Sequence, residues 1–243
     1  MPEPADVLPA TDDRTLPWRG VLGVLVGVSL AFVAISYITL ELVPHRFFQV
    51  GGGGHAYLNV GVEANVPTWW SAGMFVAAAT LLLLLAALLR AENRAGAWAT
   101  AAIAAILLAF SLDELASLHE QLYQVGRLIV SSETLPYVWL AVGIPLAIGV
   151  LVVAVLLARR IPAAARPLLL AGLATFFAGA VGMELVGSQL LDGHGPEGSV
   201  VVAAYHLEEA LEMLGAALVV VAPLRTVRVG RTAQGVTLTV ADA

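Results

Sequence analysis

An all-α, polytopic transmembrane bundle of about six helices, with both termini in the cytoplasm, is the fold that the sequence predicts. Three observations lead there. Hydrophobic residues make up 59% of the 243 and charged residues only 12%, about half the charged fraction of a soluble domain. The apolar residues gather into stretches of the roughly 20 needed to cross a hydrocarbon core about 30 Å thick. The arginines, finally, fall on alternate connections between those stretches, as the excess of basic residues in cytoplasmic loops requires.

The spans are expected at about 20–42, 68–90, 96–122, 136–158, 167–190 and 199–224. The third begins as AWATAAIAAILLAF and turns polar at Ser111, so its last turns leave the bilayer or line a protein interior. Turn and breaker residues separate the spans at Glu92–Gly96, Ser131–Pro136, Ile161–Pro167 and Asp192–Ser199. With six spans Arg14, Arg19, Arg90, Arg94, Arg159, Arg160, Arg166, Arg225, Arg228 and Arg231 fall on one side, and Arg46 and Arg127 on the other. The richer side is expected to be cytoplasmic, which places the chain in a plasma membrane of the bacterial inner type.

Residues 1–18 are acidic and proline-rich and lack the basic stretch and short apolar core of a secretory signal. They are read as a flexible cytoplasmic tail, residues 19–226 as the membrane domain, and residues 227–243 as a cytoplasmic tail. The last alternates like a small hairpin, which is marginal in isolation. One long connection, 44–68, lies outside, carries His55, and either folds over the bundle as a lid or stays a loop with interfacial tryptophans at Trp69 and Trp70.

Several functions are excluded by composition. Without cysteine there are no disulfides, thiolate ligands or cysteine nucleophiles. Without lysine there is no phosphate-binding loop of the Gly-Lys type, and no nucleotide cofactor is indicated. No His-Glu-x-x-His motif occurs. The net charge of −6 brings no nucleic-acid signal.

The chemistry lies in ionisable residues inside spans, which are rare there and usually functional. Asp113, His119 and Glu120 on the third helix, Glu184 on the fifth, and His206, Glu209 and Glu212 on the sixth are the expected metal ligands. Helical rise puts all three groups in the outer half of the bilayer at overlapping depths. At about 100° per residue, Asp113, His119, Glu120 and Tyr123 share one side of the third helix, while Glu114 points about 100° away from Asp113. Glu114, Tyr123, Glu208 and His55 are expected to stand behind the ligands or over them. Gly179 and Gly182 before Glu184 permit close helix approach.

Isolated ionised carboxylates cost several kcal/mol each in a low-dielectric interior. Raised proton affinity, a water-filled cavity or bound metal cations would compensate them. Imidazoles with several carboxylates resemble the ligand set of dinuclear carboxylate centres in helical bundles, favouring Fe or Mn with Zn as an alternative. The Glu-x-x-His pair of those centres is absent; its nearest equivalent is the reversed His206-x-x-Glu209.

Three functions stay open. The first is a membrane protein with a mononuclear or dinuclear metal site, redox active if it is an enzyme, an oxidoreductase acting on a lipid-soluble substrate. The second is a proton- or cation-coupled transporter. The third is an accessory subunit of a larger membrane complex or a homo-oligomer. The segments SLDELASLHE (111–120) and YHLEEALEMLG (205–215) resemble those of uncharacterised bacterial polytopic membrane proteins, a resemblance that implies no activity.

Overall fold

The computed structural model describes residues 14–196, 198–232 and 235–241. The tail expected at 1–18 therefore lies, up to residue 13, outside the described residues. The elements are β1 (Arg14–Thr15), α1 (Trp18–Glu41), α2 (Gly53–Leu58), α3 (Val66–Ala91), α4 (Ala97–Ala116), α5 (Tyr123–Gly126), α6 (Leu140–Ala158), α7 (Arg166–Phe177), α8 (Glu184–His194), α9 (Ser199–Val221), β2 (Val227–Thr232) and β3 (Gly235–Val240).

Five helical segments are long and apolar enough to cross a membrane: α1, α3, α4, α6 and the run Arg166–Leu191 formed by α7 and α8. That run is continuous because one π-helical stretch, Ala178–Met183, joins the two helices without breaking them. Local chemistry starts several of these helices. Asn65 caps α3 by accepting the Thr68 N–H at 3.1 Å, with Pro67 just inside, and Pro167 opens α7. In both places proline removes an N–H that the first helical turn leaves unpaired anyway.

The outward faces are apolar. Val24, Leu30, Leu84, Ile148, Val152 and Leu156 are all about half exposed or more, an arrangement that a bilayer stabilises and water does not.

The helix that carries most acid, α9, sits in the middle. It packs on α1, α3, α7, the π-helical stretch and α8, and its three glutamates set it apart from the five apolar spans. Its glutamates are half-buried or buried among these neighbours, while Val200 and Leu207 remain exposed. In its second half Met213, Ala216, Ala217 and Val220 close a solid core with Leu82, Leu85, Leu89, Ile103, Leu107, Leu169 and Leu173. Gly172 and Gly215 make this possible. A Cβ on Gly215 would meet the Phe176 backbone at 2.5 Å, and one on Gly172 the Gly215 carbonyl at 2.7 Å.

At the core end of the bundle the arginine-bearing connections meet. The Arg225 and Arg19 guanidinium groups each lie 5.2 Å from the Trp18 ring centroid. Gly96 takes φ +100° and lies against the Arg160 carbonyl, where a Cβ would clash with backbone.

The carboxyl-terminal hairpin is part of this end. β2 and β3 pair antiparallel from Val227↔Val240 to Thr232↔Gly235, and β1 adds a third strand through Arg14↔Val229 and Thr15↔Arg228. Hydrogen bonds pin the sheet to the α3–α4 turn: Arg94 donates to the Val240 carbonyl at 2.7 Å, and the Val240 N–H donates to Glu92 Oε1 at 2.9 Å. A hairpin that is marginal alone gains a third strand and a docking site here.

The third span departs from expectation. α4 stops at Ala116 rather than near residue 122, and Ser117 adopts a left-handed conformation with φ +48°. Asp113 is the cause. Its Oδ1 accepts the His119 N–H at 2.8 Å, offering that N–H a partner other than the carbonyl one turn back. A 3₁₀ turn, His119–Leu122, follows, then α5.

Candidate functional site

In the half of the bundle away from the arginine-rich end lies a cavity of about 610 Å³. Among the described residues it is lined by Glu63, Asp113, Glu114, Glu120, Glu184, Glu208, Glu209 and Glu212, with His119 as its one imidazole and no arginine. Phe110, Phe176 and Phe177 form an apolar wall. Their rings pack face to face at 5.3 Å (Phe110–Phe176) and edge to face at 5.5 Å (Phe110–Phe177).

The acids descend from mouth to interior. Glu63 and Glu120 are exposed, Glu114, Glu184, Glu208 and Glu209 are half-buried, and Glu212 is nine-tenths buried. Glu212 lies roughly 20 Å along α9 from its first residue, at 1.5 Å per residue. Among the described residues its carboxyl group has no hydrogen-bond partner. Behind Glu114 the fully buried Ser71 hydroxyl also lacks one at bonding geometry.

His119 is held at the mouth. Its Nδ1 donates to Asp113 Oδ2 at 3.1 Å, which leaves Nε2 for a proton or a ligand, the orientation that a carboxylate partner imposes on metal-binding histidines. Its ring centre lies 4.8 Å from that of Trp139. Burial pushes the imidazolium down, but the hydrogen bond and charge of Asp113 and the charges of Glu184 and Glu63 outweigh it and lift the group to about 9. One ligand atom each from Glu63, His119 and Glu120 lies within 4.8 Å of the others. Desolvation raises Glu63 above the ordinary carboxyl value, opposed by a hydrogen bond from Ser117. Tyr137 is likewise pushed up, by burial and then by the charges of Glu184, Glu208 and Glu120.

Trp139 ties two helices together. Its Nε1 donates to Glu184 Oε1 at 2.8 Å, and the indole lies back over α6, where only a glycine at 143 leaves room for it. On the opposite wall Gly179 brings the π-helical stretch against α9. A Cβ there would lie 2.7 Å from the Glu208 carbonyl and 2.8 Å from Glu212 Cγ.

The external loop forms the rim. Val60, Gly61, Val62 and Glu63 line the cavity, and hydrogen bonds around Asn59 and Ser36 anchor them. Asn65 Nδ2 donates to the Asn59 carbonyl at 2.6 Å, the Gly61 N–H to Asn59 Oδ1 at 3.0 Å, and the Val60 N–H to Ser36 Oγ at 3.1 Å.

Of the residues expected from the sequence, Asp113, Glu114, His119, Glu120, Tyr123, Glu184, Glu208, Glu209 and Glu212 share this cavity. Asp113, His119 and Glu120 meet through a turn, not along one helical face, and Glu114 joins them despite its 100° offset. His206 does not belong to the group. It faces α1, its Nδ1 donating to the Val202 carbonyl at 2.7 Å and its Nε2 accepting from Ser36 Oγ at 3.0 Å, with Tyr205 and Tyr37 against its ring. Both nitrogens are engaged, so His206 is a packed, hydrogen-bonded residue against α1 and does not line the cavity. His55 pairs with Asn59 at 3.2 Å and does not reach the cavity.

Glu63 and Trp139 are site residues that sequence reasoning passed over. Glu63 lay in a loop of unknown path, and a tryptophan at a span end reads as an interfacial anchor.

Residues 18–227 match the family model described as Domain of unknown function (DUF8692), and the chain belongs to that family. No curated protein and no solved structure matches it.

Proposed function

We propose that this DUF8692 chain is a six-span membrane protein that holds a divalent metal ion in its acidic cavity, with both termini and the arginine-rich end on the cytoplasmic side. In that orientation the cavity opens toward the extracytoplasmic surface. The sixth span is α9, whose 23 residues suffice for a crossing. The excess of arginine at one end supports the orientation.

One observation carries the metal reading: eight carboxyl groups and one imidazole line a single cavity that contains no arginine. Like charges at such spacing cannot all ionise without a counter-charge, and a divalent cation supplies two. Glu63, His119 and Glu120 would be the primary ligands, with Asp113 orienting the imidazole. Glu184, Glu208, Glu209, Glu114 and Glu212 offer further oxygens below. With His206 removed, one imidazole among carboxylates suits Mn²⁺ best and Fe²⁺ next, and gives less support to a two-histidine dinuclear centre.

The test is Mn²⁺ binding to the purified protein, followed by electron paramagnetic resonance and elemental analysis. His119→Gln and Glu120→Gln are expected to lose at least tenfold in affinity, while His55→Ala binds as wild type does. Equal binding by all four proteins, or none by the wild type, removes the reading.

A coupled cation or proton transporter is the second reading, favoured by the run of carboxyl groups from exposed Glu63 and Glu120 down to Glu212. Transport also needs a path through the packed core beyond Met213. Proton flux in proteoliposomes that disappears in Glu184→Gln would select it.

A further inference from the structure

Helix α6 forms one side wall of the cavity. Helix α6 is buried at its two ends, at Leu140 and Gly143 and again at Ala154 and Ala158. No residue between Ile144 and Val153 is buried. Pro145 lies in this stretch, where it removes a helical N–H. Leu146 is 57% exposed and lines the cavity, together with Ala147 and Val150 of the same helix. Phe177 and Val181, from the neighbouring α7 and π-helical stretch, line the same cavity. Everything at this rim is apolar, and the outward side chains next to it, Ile148 and Val152, belong to the exposed apolar belt.

We propose that the chamber is entered from the membrane interior beneath the exposed middle of α6, along an apolar passage that admits the head of a single-chain amphiphile, a head that donates hydrogen bonds and bears no negative charge. Charge complementarity selects the head. The chamber presents eight carboxyl groups and no arginine, so an anionic head meets repulsion, whereas a hydroxyl or amine finds acceptors. Glu212, nine-tenths buried with its carboxyl group unpartnered among the described residues, is the deepest of those acceptors. The wall of Phe110, Phe176 and Phe177 offers the first part of the chain an apolar bed, and about 610 Å³ falls within the roughly 300–1,000 Å³ typical of small-molecule sites. The rest of the chain stays in the bilayer past Leu146. This inference uses the same cavity as the metal reading but not its metal, so the two succeed or fail separately.

The experiment uses the full chain in nanodiscs with chelator present. Three photoreactive probes of equal chain length, bearing an alcohol, an amine or a carboxylate head, are cross-linked and the labelled residues mapped by mass spectrometry. The alcohol or amine probe is expected to label Phe177, Val181 or Val150, at least fivefold more than the carboxylate probe. Unlabelled long-chain alcohol should compete and the matching fatty acid should not. Ala147→Trp, which fills the passage, is expected to cut the labelling at least fivefold. Should that variant not fold, competition in the wild type decides alone. Equal labelling by all three heads, or labelling confined to the outward residues Ile148 and Val152, overturns the proposal. Mn²⁺ binding measured on the same preparation reports on the metal reading independently.

Discussion

Asp113→Asn isolates the interaction that sets the charge at the cavity mouth. The amide oxygen can still accept the His119 backbone N–H, so the turn after α4 is retained, but the negative charge beside Nδ1 disappears. Burial is the largest influence on His119 and pulls it down; Asp113 is the main influence that lifts it to about 9 against an ordinary 6.5. Without Asp113 the titration midpoint is expected near or below 6.5, with Glu184 and Glu63 still opposing burial. A fall from about 9 to 6.5 or below corresponds to roughly 3 kcal/mol or more of lost preference for the imidazolium.

The sign for stability follows. A folded-state value above the unfolded one stabilises fully below about pH 6.5, and the contribution disappears as pH rises through about 9. In Asp113→Asn this loss of stability between pH 6.5 and 9 flattens. Histidine resonances followed by NMR in nanodiscs, with His119→Gln for assignment, give the midpoint, and unfolding at pH 6 and pH 9.5 gives the stability difference. A His119 that still titrates at 8 or above in the variant would refute the assignment of its charge to Asp113.

Metal affinity carries the opposite pH dependence, because a ligating His119 must lose the Nε2 proton. Apparent Mn²⁺ affinity measured by isothermal titration is expected to rise by up to about tenfold per pH unit from 6 to 8 and to level off above about 9. Ser36→Ala leaves His206 Nε2 and the Val60 N–H without their buried partner, so denaturant unfolding should show a loss of about 1–3 kcal/mol. Gly179→Leu forces the π-helical stretch away from Glu208 and Glu212, and thermal unfolding is expected to fall by the equivalent of about 1–3 kcal/mol. Gly23→Ala, with open space around it, should leave the midpoint unchanged or raise it.

The spans were readable because a bilayer imposes a simple rule on length and polarity. The expected ranges 20–42, 68–90 and 167–190 differ by only a few residues from α1, α3 and the α7–α8 run. The acidic membership of the cavity was largely readable too, since a carboxyl group in a span has few places to go except inward. What periodicity misjudged was the path of the backbone. A uniform helix from 96 to 122 would have put Asp113 and His119 on one face; they touch instead because Asp113 bonds to the chain six residues on and ends the helix. His206 has the residue type of a ligand and the spacing of one, yet the nearness of Ser36, 170 positions away, makes it a core residue.

Composition and hydropathy alone thus determined that the chain spans a membrane many times and that its acids turn inward, because transfer into lipid acts on each residue separately. Which acids meet, which histidine stands among them and where α6 lines the chamber depended on contacts between distant segments. Glu63 reaches His119 from a loop, Trp139 reaches Glu184 from another helix, and such pairings arise only when helices pack and the loops between them are tied down.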